Sequence, residues 1–195
     1  METFFAKQAR KNNLTSLQRQ VVLGSLLGDD YLMPTTAGCC FRVNHGLQQR
    51  EYVDWKYNFL VDFVRTPPRR SGKCYYFRTI THSDFTIYRN SFYVNSCKII
   101  PIELLYEDFT KLSLAIWIMD DGSADGNQLR INTQSFTFSE NDLLIEFLRA
   151  KFGIEAKLNQ DKGRPRLRIS SVSMERLRIL VKPNIIPNML YKFSL

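Results

Sequence analysis

Histidine is scarce in this chain: His45 and His82 are the only two among 195 residues. The four cysteines, Cys39, Cys40, Cys74 and Cys97, show no Cys-x-x-Cys spacing. These shortages argue against a zinc site and leave the thiols as reduced core residues of an intracellular protein. Nothing points to Cys-His or Ser-His-Asp catalysis. No apolar run approaches the roughly 18 residues of a membrane span. The opening METFFAKQARKNN lacks the apolar core of a signal peptide, so secretion is not expected. The compartment stays open between an organelle (mitochondrion or chloroplast) and the bacterial cytoplasm. No segment is of low complexity.

What is present is ordinary in apolar content and unusual in charge. Hydrophobic residues make up 44% and charged ones 24%, so the chain can bury a core as one large domain or two small ones. Lys and Arg outnumber Asp and Glu by 27 to 19, a net charge of +8. An excess of this size fits a polyanionic partner, most often nucleic acid.

The sequence also repeats itself. FRVN at 41–44 returns as LRIN at 129–132, YFRTI at 76–80 as RLRIS at 166–170, and IIPIELLY at 99–106 as IIPNMLY at 185–191. LGSLLGDDYL at 23–32 has its counterpart in LAIWIMDDG at 114–122. The order is kept and the offsets are similar, which predicts two related halves, 1–107 and 108–195. Periodicity predicts buried helices over 15–28 and 111–121, each followed by a hairpin at TTAG (35–38) or ADGN (124–127). Amphipathic helices are expected near 48–64 and 139–152, the second capped by Ser139. Second strand pairs are expected near 74–81 and 154–171, and short helices near 84–95 and 173–181, with RTPPRRSGK at 65–73 as a loop.

Both buried helices run into adjacent acids, Asp29-Asp30 and Asp120-Asp121. A helix C-terminus disfavours a carboxylate by roughly 0.3–1 kcal/mol. Taken singly, such a stretch reads as a helix-exit turn. Occurring twice in a repeat, it reads as a site. Helices packed at a pseudo-two-fold axis, close at Gly24, Gly28 and Ala115, would bring up to four carboxylates together. Those charges need compensation, and Mg²⁺ completed by water and phosphate supplies it. Carboxylate-held metal beside phosphate is the equipment of phosphodiester hydrolysis.

The two stretches resemble the LAGLIDADG motif of homing endonucleases. LAIWIMDDG matches at Leu114, Ala115, Ile118, Asp121 and Gly122, and VLGSLLGDD at Gly24 and Asp29. Asp30 stands where the first motif has its final Gly, and Ile116 where the second has Gly. WIMDDGS, INTQSFTF and IIPNMLYKF resemble the subgroup typified by the yeast mitochondrial omega-intron endonuclease, extending the likeness over about 15 to 193. The resemblance implies an α+β fold of two pseudo-symmetric αββαββα halves. Each antiparallel sheet would form part of a DNA-binding saddle, with the motif helices at the interface. It implies catalytic roles for Asp29, Asp121, Lys98 and Lys192. It further implies a divalent cation, Mg²⁺ or another such as Mn²⁺, held among Asp29, Asp121, Gly28 and Asp120. Asp30, at a position normally Gly, is expected to matter least.

The strand patterns agree with a reading face. Arg166, Arg168 and Ser170 alternate with Leu167 and Ile169; Gln128, Arg130, Asn132 and Gln134 alternate with Leu129 and Ile131; Arg42 and Asn44 alternate with Phe41 and Val43. Arg, Asn and Gln make bidentate contacts with guanine and adenine edges. Arg78 joins this DNA-binding set. Lys73, Arg69, Arg70, Lys162 and Arg164 are read as phosphate contacts from loops.

The leading expectation is a monomeric, metal-dependent endonuclease that makes a staggered double-strand break in a long, weakly pseudo-palindromic DNA site and so promotes mobility of its own intron. The alternatives are an RNA maturase that binds a group I intron, and a non-catalytic DNA-binding regulator. No membrane partner is expected. An intein is disfavoured, because no Cys or Ser opens the chain and no His-Asn closes it.

Overall fold

The computed structural model describes residues 3–193; Met1, Glu2, Ser194 and Leu195, at the ends of the two expected halves, lie outside it. A short helix α1 (Phe4–Ala9) precedes the first long buried one, α2 (Ser16–Leu27). Thr15 starts α2 through a capping box, its side chain accepting from Gln18 N while Gln18 Oε1 accepts from Thr15 N. Strands β1 (Tyr31–Thr35) and β2 (Gly38–Gly46) form the TTAG hairpin. Helix α3 (Arg50–Leu60) follows, then β3 (Arg69–Ser71) and β4 (Cys74–Arg78). Helix α4 (Ser83–Phe92) leads into a two-stranded ribbon, β5 (Tyr93–Val94) and β6 (Cys97–Lys98).

After α5 (Ile102–Asp108) the pattern recurs with α6 (Lys111–Asp121), β7 (Gly122–Asp125), β8 (Gln128–Ile131), α7 (Phe138–Phe152), β9 (Ala156–Asp161), β10 (Arg164–Ile169) and α8 (Met174–Val181). The chain closes in 3₁₀ turns at Pro187–Phe193. Two antiparallel four-stranded sheets result, ordered β1-β2-β4-β3 and β7-β8-β10-β9. The class is α+β. Among the described residues no helix is long and apolar enough to cross a membrane.

Alternation decides which sheet face is covered. Phe41, Val43 and Phe77 point inward from the first sheet, and Leu129, Ile131, Leu167 and Ile169 from the second. These side chains join Phe85, Trp117 and Phe147 in one apolar cluster that runs through both sheets' helices. The opposite faces carry the polar residues.

Local chemistry corrects some expectations. Thr137, not Ser139, caps α7, because its side chain accepts from Glu140 N and Glu140 Oε2 accepts from Thr137 N. Arg69 and Arg70 lie in β3 rather than a loop, paired with Tyr76 and Tyr75, and Arg164 lies at the start of β10, opposite Asp161. β8 ends at Ile131, so Asn132 and Gln134 follow the strand, although Asn132 N still donates to Asp121 O.

Candidate active site

Helices α2 and α6 pack along their length because glycine lets their backbones approach. A Cβ on Gly24 would fall 2.4 Å from Ser113 O and 2.9 Å from Ile116 Cβ. One on Gly28 would fall 2.5 Å from Asp120 Cβ. Gly24 corresponds to Ile116 in the repeat, and Gly28 to Asp120. Equivalent positions therefore meet, large against small, and the helices end side by side. Their ends bring together Asp29, Asp30, Asp120 and Asp121.

The last carbonyls of each helix lack intrahelical partners, and lysines supply them. Lys98 Nζ donates to Gly28 O at 3.1 Å and to Asp30 O at 3.3 Å, while Lys192 Nζ donates to Asp120 O at 3.1 Å. Gly28 and Asp120 are equivalent, so the two lysines repeat one arrangement. Burial lowers the Lys98 pKa, although Asp121, Asp30, Asp120 and Asp29 all oppose this.

The two outer acids differ in setting. The Asp29 side chain is 52% exposed. Asp121 is half-buried, and its carboxyl is pushed up to about 8, first by burial and then by Asp29 and Asp120; Lys98 and Lys192 pull it down. Asp121 and Asp29 therefore sense one another across the helix pair. Such crowding favours a bound cation or a bound proton.

The inner acids are already paired. Lys56, from the buried side of α3, is wholly buried, with Nζ 2.6 Å from Asp30 Oδ2 and 2.9 and 3.0 Å from the two oxygens of Asp120. Burial works against its charge, but Asp120 and Asp30 outweigh it and raise the Lys56 pKa. Burial likewise raises the Asp120 carboxyl, with Lys56 acting in the opposite sense. Asp30, expected to matter least, is 1% exposed and holds one side of this bridge. His45 completes the cluster, its Nδ1 3.9 Å from Asp29 Oδ2 and its Nε2 3.6 Å and 3.8 Å from Oδ1 of Asp30 and of Asp120.

The expected reading residues that lie on strands share the uncovered face of each sheet. On the first, Arg42 lies opposite Arg78 and Asn44 opposite Tyr76, and Arg42 and Arg69 stack on the Tyr76 ring with centroid distances of 4.8 Å and 5.4 Å. On the second, Gln128, Arg130, Arg164, Arg166 and Arg168 stand on the uncovered face, with Arg168 opposite Arg130. Asp125 joins the last two, its oxygens 2.5 Å from Arg130 Nη2 and 2.9 Å from Arg168 Nη2. Lys73 and Lys162 are exposed in the turns between β3 and β4 and between β9 and β10. Asn132 is exposed beyond β8, and Gln134 is half-buried there.

Residues 19–177, more than half of the chain, match the LAGLIDADG DNA endonuclease family. The chain belongs to that family. It is 28% identical over 195 residues to "Probable intron-encoded endonuclease 1" of Wickerhamomyces canadensis, covering 92% of this chain and 84% of that protein. It is 27% identical over 217 residues to "Cytochrome b mRNA maturase bI2" of Saccharomyces cerevisiae, covering 96% of this chain and 50% of that protein. Among solved structures it resembles the homing endonuclease I-WcaI bound to its DNA recognition sequence, with a TM-score of 0.88, 26% identity and coverage of 98% and 93%.

Two polar residues of this LAGLIDADG chain escaped the motif-based reading, and each left a trace. Lys56 sits four residues from both Tyr52 and Leu60, on the buried stripe of α3. His45 continues the inward alternation of Phe41 and Val43. A cation on an apolar stripe and an imidazole on a covered strand face both call for a buried partner.

Proposed function

We propose that the protein is a site-specific DNA endonuclease that hydrolyses one phosphodiester in each strand of a long duplex target, leaving a staggered break that promotes mobility of its own intron. The observation that carries this reading is the meeting of Asp29 and Asp121 at the joined ends of α2 and α6, between Lys98 and Lys192. In this reading residues 1–107 and 108–195 each face one half-site and supply one principal acid, and the chain acts as a monomer.

Mg²⁺, or Mn²⁺ in its place, fits the donors available. The carboxylates of Asp29 and Asp121 and the carbonyls of Gly28 and Asp120 are hard oxygen ligands. Lysine ammonium groups already lie at both carbonyls, which marks them as favourable for positive charge. When bound, such an ion makes coordinated water more acidic and steadies charge on the phosphate. Asp29 and Asp121 hold the anionic side of the site, Asp121 giving up the proton that its crowded setting favours. Lys98 and Lys192 lie where an ammonium can steady attacking water or the strained phosphate. Arg42, Asn44, Arg78, Gln128, Arg130, Asn132, Gln134, Arg166 and Arg168 face base edges, and Lys73, Lys162 and Arg164 hold phosphates.

The test is selection of cleaved sites from a random duplex library with Mg²⁺ or with chelator, repeated with Asp121→Asn. One long preferred site, cut only with the metal and slowed by orders of magnitude in the variant, is expected. Wild-type rates from the variant on both strands would defeat the mechanism. A second reading, RNA binding in support of intron splicing, draws on the similarity to the cytochrome b mRNA maturase. Asp121→Asn protein that still promotes splicing of the surrounding intron would support it.

A further inference from the structure

We propose that a pocket between α1 and the outer end of the first sheet holds a sugar–phosphate segment of duplex DNA beyond the bases that are read, so that the first half grips its target further out than the second. The proposal rests on the reading of the sheets as a duplex-binding surface. The pocket has a volume of about 540 Å³, and Arg10, Arg65, Arg69 and Arg78 all line it. No Asp or Glu is among its described lining residues. A concave surface of one sign concentrates the opposite charge. Guanidinium groups match phosphate oxygens two at a time. Ala6, Pro67 and Ile80 add an apolar part to the lining, which a deoxyribose can cover and a free anion cannot.

Its position joins it to the uncovered sheet face. Tyr76 and Arg78 belong both to that face and to the pocket. From there the lining runs to Thr35, at the tip of the β1–β2 hairpin, and to Thr81, their hydroxyl oxygens 3.0 Å apart. β1 leaves the acids at Tyr31, so at about 3.3 Å per residue Thr35 stands about 13 Å outward. A phosphate held here belongs to the flank of a bound duplex and not to its centre.

Two features prepare the pocket. Arg10 Nε donates to Thr81 O at 2.8 Å, which orients its guanidinium and fastens the end of α1. Arg65 and Thr66 precede Pro67 and Pro68, whose fixed φ and restriction of the residue before them keep this loop extended. A site held ready in this way loses less entropy on binding. The second half has no such wall. Only residues 153–155 separate α7 from β9, and they carry Glu155 and no arginine.

Hydroxyl-radical footprinting in chelator, on the duplex recovered by site selection, tests this. Protection should reach further at one end of the target. Arg65→Ala, and Arg10→Ala combined with it, should shorten that end and leave the centre and the other end unchanged. On the full duplex the double variant should bind about tenfold more weakly, with a salt slope lower by about two. On a duplex trimmed at that end it should match the wild type. Arg65 is exposed, so Arg65→Ala carries the test alone if Arg10→Ala unfastens α1. Equal protection at both ends by the wild type would overturn the proposal and leave the endonuclease reading intact. So would an unchanged footprint in Arg65→Ala protein shown to be folded by circular dichroism, or an equal loss of affinity on the trimmed duplex. Saturable binding of inorganic phosphate to DNA-free protein, lost in Arg65→Ala while the footprint stays unchanged, would assign the pocket to a free anion instead. Absence of a footprint on every duplex would defeat both readings.

Discussion

Gly28 and Asp120 occupy equivalent places in the two central helices and pack directly against each other. A methyl group on Gly28 would lie 2.5 Å from Asp120 Oδ2, inside van der Waals contact. Gly24 and Ile116 repeat the relationship. Where the second helix carries Ile116 or Asp120, the first carries a glycine, so the close approach survives at both positions. Gly28→Ala should cost about 1–3 kcal/mol, because Asp120 cannot move without disturbing Lys56. Gly46→Ala, at a position with nothing within 4 Å, is the control. Urea midpoints compare them, and equal effects would contradict the packing described.

Lys56 binds acids from both helices, so its loss reaches across the interface. Lys56→Met leaves Asp30 and Asp120 buried without a counter-charge and should destabilise by about 3–5 kcal/mol. Adding Asp30→Asn and Asp120→Asn should recover part of that loss, since the buried negative charge goes with them. A triple variant no more stable than Lys56→Met would show that the cost lies in packing and not in charge.

The repeat made the central helices, the hairpins and the outer acids legible, because each depends on local pattern: apolar runs of helical length, turn residues and period-two alternation. α1 and α5 went unread because each is under eight residues and has little periodicity to display. β3 was obscured by Pro67 and Pro68, which mark a loop start but do not prevent the next residues from pairing. The Lys56 bridge joins residues 26 and 64 apart in sequence, and no local pattern reports such a distance. What the sequence did carry was the anomaly of a lysine between Tyr52 and Leu60 on a buried stripe.

Asp121 sets a pH dependence whose sign can be worked out. Its carboxyl titrates near 3.8 when free and is pushed up to about 8 in the fold. Between these values the native state keeps a proton that the unfolded chain has released, so stability is lost as pH rises. In chelator, the denaturation midpoint of wild type relative to Asp121→Asn should fall from pH 4 to pH 8. The apparent affinity for Mg²⁺ should rise over the same window, because the metal displaces that proton. A wild-type advantage that grows with pH would contradict the assignment.

Asp125 is an acid on a sheet face rich in arginine. It ties Arg130 and Arg168 together, and the Arg130 hydrogen bond, ahead of the Arg168 charge, holds its carboxyl below the usual range. Asp125→Ala should release both guanidinium groups toward DNA, raising affinity for arbitrary duplex and steepening the salt dependence by about one unit of slope. Lys73→Ala should do the reverse, weakening binding to every sequence and flattening the slope. Arg166→Ala should act on the cognate site alone, by about 1–3 kcal/mol if its contact is bidentate. Fluorescence anisotropy on cognate and scrambled duplexes at several salt concentrations separates the three. Unchanged binding in Asp125→Ala, together with equal losses on both duplexes in Arg166→Ala, would mean that this sheet face does not read DNA.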